Sequence, residues 1–385
     1  MSEQPNAPYL EAVVAYAFRG PARFHVPGHK GGPGADPGLR HAIGANALAA
    51  DIPQDIHGVD LGPSPTPYQR AELLAAEAYR AGRTWFLTNG ATQGNHALCL
   101  ALAPPGERVV VQRNAHASVV DGLILSGGRP TFVVPEYDEE LGIAHCVTPA
   151  SLEAALRATP GARAVFMTSP TYYGMVADVP GCAAVAHEAG VALVVDQAWG
   201  PHFGFHRSLP RTALEQGADA VLTSTHKIAG SLTQSAMLHV ARGGRIDPET
   251  VARTVRLLRS TSPSSLLLAS LDAARRQLAI HGEQLLHETL EAVTIARAKI
   301  EAIAGVSLVG TGVVGRFGVI AQDPLRLVLD VRGTGRTGYE MADALRRAYD
   351  VNPELATDAT VVFIIGLRQS VAELRRLAGD VEEVA

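Results

Sequence analysis

One pattern limits this chain more than any other. Between Thr84 and Thr225 short apolar runs recur: "TWFLT", "RVVVQ", "PTFVV", "AVFMTS", "ALVVDQ" and "AVLTST". Most are separated by amphipathic stretches such as "SLEAALRAT" and "CAAVAHEAG". Runs this short and this apolar read as strands buried on both faces. Strands alternating with helices predict an α/β fold, a mostly parallel sheet with helices on both sides. After Pro263 the pattern changes to a long helical stretch, "SLLLASLDAARRQLAIHGEQLLHETLEAVTIARAKIEAI". Then come "LRLVLDV", a helix at "GYEMADALRRAY", "TVVFIIG" and a last helix, which read as a second, smaller α+β unit. The expected division is an N-terminal arm and loop over 1–60, a large domain over 61–275 and a small domain over 276–385. A chain of 385 residues is long enough for two such units.

In open α/β sheets ligands collect beyond the C-terminal ends of the strands. Four polar clusters fall at such ends: "TNGATQGN", "QRNAHAS", "VDQAWGPHF" and "TSTHK". Lys227 follows an apolar strand and is wrapped in Ser224, Thr225 and His226, donors suited to a phosphate. A lysine beside a phosphate site suggests pyridoxal phosphate (PLP), whose aldehyde bonds covalently to lysine. Asp196, ending "ALVVDQ", is placed to pair with the ring nitrogen of PLP and keep it protonated. Gly90 permits a tight turn before a helix, leaving the amides of Ala91 and Thr92 to face the phosphate, with the Thr92 hydroxyl as a further donor. Ala198 is small enough to pack flat on the ring, and Trp199 either walls the pocket or fills core. His116 either stacks on the other ring face or bonds a substrate carboxylate. In "TSPTYYG", Ser169 is expected to reach the ring hydroxyl and Tyr172 or Tyr173 to line the pocket. His25, His29 and Lys30 sit on a Gly/Pro-rich loop, "FHVPGHKGG", with His29 a candidate for the substrate side.

Bulk properties exclude several classes. The formal net charge is -5, 47% of residues are hydrophobic, and no basic block suggests a nucleic-acid surface. Three scattered cysteines offer neither metal spacing nor a disulfide framework, which points to a reducing cytoplasm. The start, "MSEQPNAPYLEAVVAYAF", lacks the basic segment and continuous apolar core of a signal peptide. No apolar run is long enough to span a membrane.

Taken together, "HVPGHK", "TNGATQGN", "QRNAHAS", "TSPTYYG", "DQAWGPHF" and "STHK" resemble the major-domain family of ornithine, lysine and arginine decarboxylases. The resemblance runs from "FHVPGHKGG" to "TSPSSLLLASLD". It implies the aspartate-aminotransferase fold (fold type I), with a large domain built on a mostly parallel, seven-stranded type of sheet. It implies PLP on Lys227, Asp196 at the ring nitrogen, His116 stacked on the ring, and Ala91, Thr92, Ser224 and His226 around the phosphate. It implies a homodimer in which "RSTSPSS" of a neighbouring subunit brings Thr261 toward the phosphate. It places a glutamate near Glu354, able to meet a basic substrate side chain. The implied reaction converts lysine, ornithine or arginine to its amine. Another PLP reaction on an amino acid, or a non-catalytic PLP-binding relative, stays open at this stage. Two departures stand out. "QAWGPH" replaces the more usual "EAHGAH", and the family's long C-terminal domain with its "PYPPGIP"-type segment does not follow "VNPELATDATVVFIIGL".

Overall fold

The computed structural model describes residues 3–385. Its central sheet has seven strands, in the order Arg83–Leu87, Ala236–Val240, Ala220–Thr223, Ala192–Asp196, Ala164–Thr168, Arg108–Gln112 and Arg129–Val133. Six run in one direction, and Ala236–Val240 is antiparallel to both of its neighbours. The apolar runs are therefore strands of one sheet, as the alternation predicts.

Period-two alternation explains why those runs lack polar positions. Val109, Val111, Phe166, Val194 and Leu222 face one layer of helices, Gly90–Leu102, Ala117–Ser126 and Pro248–Leu258. Val110, Met167, Leu193, Val195 and Val221 face the other, Pro149–Arg157 and Val179–Glu188. Each of these side chains is at most 2% exposed. Burial of each contributes roughly 1.5–3 kcal/mol before conformational entropy is counted. Gly94 lies where the first helix crosses the sheet. A Cβ there would sit 2.2 Å from a Leu222 methyl, so the close approach requires glycine.

The small unit is a four-stranded antiparallel sheet, ordered Ser307–Leu308, Arg326–Asp330, Thr360–Ile364 and Leu355–Ala356. Helices Gly338–Tyr349 and Val371–Val384 pack with it. Two features tie the units together. A helix of 37 residues, Ser265–Glu301, begins in the core formed with the N-terminal helix Pro8–Phe18 and ends in the small-domain core. It runs unbroken through the expected boundary at 275–276. A short antiparallel pair, Met175–Ala177 with Val319–Gln322, joins the segment after strand Ala164–Thr168 to the small unit.

The N-terminal segment holds helix Pro8–Phe18 and two short helices, Pro37–Ile43 and Ala45–Ala50. After helix Pro8–Phe18 the chain through "FHVPGHKGG" has no helix or strand. Phe24 is 96% exposed there.

Candidate active site

A cavity of about 290 Å³ lies at the C-terminal ends of the parallel strands. Sixteen of its seventeen lining residues come from the strand-end clusters and the "TSPTYYG" turn; the other is Ala144. Lys227 rides on a one-turn helix, Thr225–Ile228, just past strand Ala220–Thr223. Its Nζ is 3.5 Å from the centroid of the Trp199 ring. Burial lowers the Lys227 ammonium to about 8. Nearby Arg326 pushes the same way, while Asp196 and Glu354 oppose it.

Asp196 is held by two donors. Its Oδ1 accepts the Ala198 amide at 3.0 Å, and its Oδ2 accepts from Asn95 Nδ2, also at 3.0 Å. The second Asn95 hydrogen goes to Ser118 Oγ at 2.9 Å, and Ser118 Oγ lies 2.7 Å from His116 Nδ1. The residues flanking the cavity on two strand ends are thus connected through its wall. His116 also caps helix Ala117–Ser126, accepting the Ser118 amide at 3.2 Å.

The floor suits an anion. Helix Gly90–Leu102 starts with Gly90 at φ +67° and carries no side-chain cap. Its first amides, at Ala91 and Thr92, are the unsatisfied donors of a helix N-terminus. His226 Nδ1 donates to the Ser235 carbonyl at 2.8 Å, which fixes the ring beside Ser224 at the cavity edge. The Thr168 hydroxyl lines the cavity and has no partner in the protein. Free amides, an orphaned hydroxyl, a strand-end carboxylate and a partly dehydrated lysine are what PLP needs, so the residues present fit it.

The structure brings together Lys227, Asp196, His116, Ala91, Thr92, Ala198, Trp199, Ser224, His226, Tyr172 and Tyr173. Four expected residues lie elsewhere. Ser169 is one place past Thr168 and faces away. Its hydroxyl accepts the Ala177 amide at 3.1 Å, while Thr168 lines the cavity. His29 bonds Asp51 at 3.1 Å in the N-terminal loop and does not line the cavity. Its loop neighbours are also engaged locally, His25 with Tyr16 at 2.6 Å and Lys30 with the His25 carbonyl at 2.5 Å. Thr261 is exposed on the loop before helix Ser265–Glu301 and does not line this chain's cavity. Glu354 lies outside the lining but at its edge, where its Oε1 accepts the Tyr172 hydroxyl at 2.5 Å. Burial, helped by that carboxylate, raises the Tyr172 phenol and keeps it a neutral donor. Tyr172 in turn stacks edge-on against Trp199 at 4.8 Å.

Sequence reading missed three participants. Asn95 and Ser118 lie inside quoted motifs, and only the fold shows them to be neighbours. Arg326 begins a small-domain strand and is fully buried. Its guanidinium carbon is 4.4 Å from the Trp199 centroid, and its Nε and one terminal nitrogen have no partner. Gly174, at φ +81°, makes room for it, since a Cβ there would lie 2.5 Å from Arg326 Cγ. An arginine opening an apolar strand was the available signal.

Three comparisons bear on this arrangement. A family model described as the Orn/Lys/Arg decarboxylase major domain matches residues 7–316. An arginine decarboxylase of Halalkalibacterium halodurans is 37% identical over 391 residues, covering 100% of this chain and 78% of the relative. Among solved structures, lysine decarboxylase A of Pseudomonas aeruginosa superposes with a TM-score of 0.84 at 22% identity, over 98% of this chain and 59% of that one. A serine palmitoyltransferase solved with PLP gives 0.65 at 16% identity, over 91% and 83%, and this likeness is one of fold. The sheet is thus that of fold type I PLP enzymes, and the chain belongs to the Orn/Lys/Arg decarboxylase family, PLP-dependent enzymes that decarboxylate basic amino acids.

Proposed function

We propose that the chain converts arginine to carbon dioxide and the corresponding amine, with PLP held covalently on Lys227. The observation that carries this is the meeting of Lys227 and Asp196 in one cavity whose floor is an uncapped helix N-terminus. Arginine is preferred over lysine and ornithine because the relative matching the whole chain is named an arginine decarboxylase.

Bound PLP supplies an electron sink for the substrate's α-carbon when its bond to the carboxylate breaks. The residues do the rest. The amides of Ala91 and Thr92, with Ser224 and His226, bind the phosphate and set the ring's position. Asp196 holds a proton at the ring nitrogen, and Thr168 faces the ring hydroxyl. Ala198 and His116, which both line the cavity, would pack against the ring. Lys227, whose amine is pushed down to about 8 by burial, carries a proton at Nζ to the substrate's α-carbon once it is free. Trp199 and Tyr172 exclude water above. Glu354 meets the guanidinium at the far end, where the Tyr172 hydroxyl now occupies it.

The working unit is a cytoplasmic homodimer. The arm's exposed Phe18, Phe24 and Val26 suit a protein partner, and exposed Thr261 suits reaching a neighbouring copy's site. No helix among the described residues is long and apolar enough to cross a membrane. The three cysteines are free and buried, and burial raises their thiols to about 12. The test is to incubate the purified protein and PLP with a panel of amino acids, recording carbon dioxide, ammonia and keto-acid together. Carbon dioxide with amine from arginine supports the reading. Keto-acid or ammonia replaces it with another PLP reaction, and silence across the panel ends it.

A further inference from the structure

The hydrogen bonds through the cavity wall have a direction. Asn95 Nδ2 carries two hydrogens, and both are assigned by geometry, one to Asp196 Oδ2 at 3.0 Å and one to Ser118 Oγ at 2.9 Å. Turning the amide over would set its oxygen against a carboxylate oxygen. With Asn95 Nδ2 donating to it, Ser118 Oγ is free to give its own hydrogen to His116 Nδ1, 2.7 Å away. The Ser118 amide points at the same nitrogen from 3.2 Å. Two donors converging on Nδ1 require a lone pair there, so the ring proton sits on Nε2. Asn95 and Ser118 are 1% and 2% exposed, so water does not compete for the two Asn95 bonds, while His116 itself is exposed. Among the described residues the Asn95 oxygen has no partner, which leaves the amide nitrogen as the working end.

We propose that Asn95, acting through Ser118, is a positioning residue that locks the two groups flanking the cofactor site into one hydrogen-bonding state: Asp196 as an acceptor and His116 with its proton on Nε2. This rests on the reading of Asp196 and His116 as cofactor contacts. It adds that the two are coupled. A PLP enzyme needs the ring nitrogen and the ring face served by fixed partners, because a carboxyl or imidazole free to change its proton pattern would spread the bound cofactor over several states. Nearby Lys227 faces the same cavity but makes no bond to this chain of donors.

The test uses the PLP-loaded protein with nitrogen-15 in its histidines, the His116 signals being assigned by their loss in His116→Gln. Nitrogen shifts should report the Nε2-protonated tautomer in the unaltered protein. Asn95→Asp keeps the shape and exchanges a double donor for an acceptor. Ser118 must then donate to residue 95, so His116 Nδ1 loses its hydroxyl donor and keeps only the Ser118 amide, and the His116 nitrogen shifts should move. The visible band of bound PLP should change with it, because Asp196 now faces a second carboxyl group. Ser118→Ala leaves the Asn95–Asp196 bond intact. It should disturb the His116 signals and leave the visible band in place. Asn95→Leu removes both donors and should weaken PLP binding roughly tenfold, the usual worth of a hydrogen bond to a charged group. Unchanged His116 nitrogen shifts in Asn95→Asp overturn the proposal. So does a Ser118→Ala protein whose visible band moves as far as that of Asn95→Asp. If Asn95→Asp fails to fold, Ser118→Ala and Asn95→Leu decide alone: equal disturbance of both readouts by both variants rejects the coupling. The histidine signals need no turnover. A protein inactive on every amino acid therefore sinks the assigned reaction and leaves this result standing or fallen by itself.

Discussion

The two halves of the cavity are built differently. The large sheet supplies Lys227, Asp196, His116 and the helix N-terminus at Gly90 from the ends of strands whose interiors are packed on both faces. These groups are placed by backbone that cannot shift without disturbing a core. The small domain supplies Glu354 and Arg326 from a separate four-stranded sheet. One is exposed and holds the large domain through a single phenol. The other is buried with two nitrogens unpartnered. On the proposed assignment, cofactor chemistry is anchored in the rigid half, and contact with the variable end of a substrate crosses from one sheet to the other. A family that keeps one cofactor and handles several basic amino acids has reason to divide its site this way.

The comparison predicts that changes in the rigid half abolish chemistry and changes in the small domain retune it. The largest effect belongs to Lys227→Ala. Borohydride trapping followed by mass spectrometry should find no covalent PLP, and a label on Lys30 or Lys299 would show that the wrong lysine is assigned. Asp196→Asn comes next. It should still bind PLP yet lose turnover by roughly a hundredfold or more, the scale seen when a preorganised charge is removed from an active site. Near-normal turnover there would place the control of the ring outside the large sheet.

Small-domain variants should cost less. Glu354→Gln should weaken arginine by roughly tenfold and leave the visible band of bound PLP alone, since Glu354 is exposed and water softens its loss. A change in that band would mean that the seam reaches the cofactor. Arg326→Met should leave the melting temperature within a few degrees. A buried guanidinium with unpartnered nitrogens contributes little net stability, and an apolar side chain of similar reach fills its place. Affinity for the amino acid should fall. A large drop in melting temperature with unaltered kinetics would make Arg326 a structural residue that secures Trp199.

The same division explains what the sequence disclosed. The seven strands were legible because burial on both faces removes the polar alternation that would otherwise blur a strand. Lys227 and Asp196 were legible because each polar residue ends an apolar run, and that is where α/β sheets place ligands. Thr168 lines the cavity and Ser169, the next residue, does not, because along an extended chain one residue reverses the face. Choosing between Thr168 and Ser169 requires the register with strand Ala192–Asp196, which no local pattern contains. Asn95 and Ser118 lie in different motifs, and their contact depends on helices Gly90–Leu102 and Ala117–Ser126 packing side by side. Arg326 was invisible because its value comes from Trp199, a residue of the other domain.

The smallest effect measures both halves on one atom. In the cofactor-free protein, burial lowers the Lys227 ammonium from 10.5 to about 8. The folded state then holds fewer protons than the unfolded one between those values, so stability rises with pH across that window. Below about pH 8 the cost of the buried charge is fully present, and Lys227→Met should be the more stable protein there. Its advantage should shrink as pH rises from about 8 toward 10.5. Covalent capture of PLP needs the neutral amine. Its rate should climb with pH and flatten just above 8 instead of continuing toward 10.5. The neighbours set the direction of each refinement. Arg326 disfavours the ammonium, so Arg326→Met should move the midpoint up. Glu354 favours it, so Glu354→Gln should move the midpoint down. Stopped-flow absorbance of PLP capture against pH reads all three proteins. If neither small-domain variant moves the midpoint, the lysine is governed by the large sheet alone, and the seam ends short of Nζ.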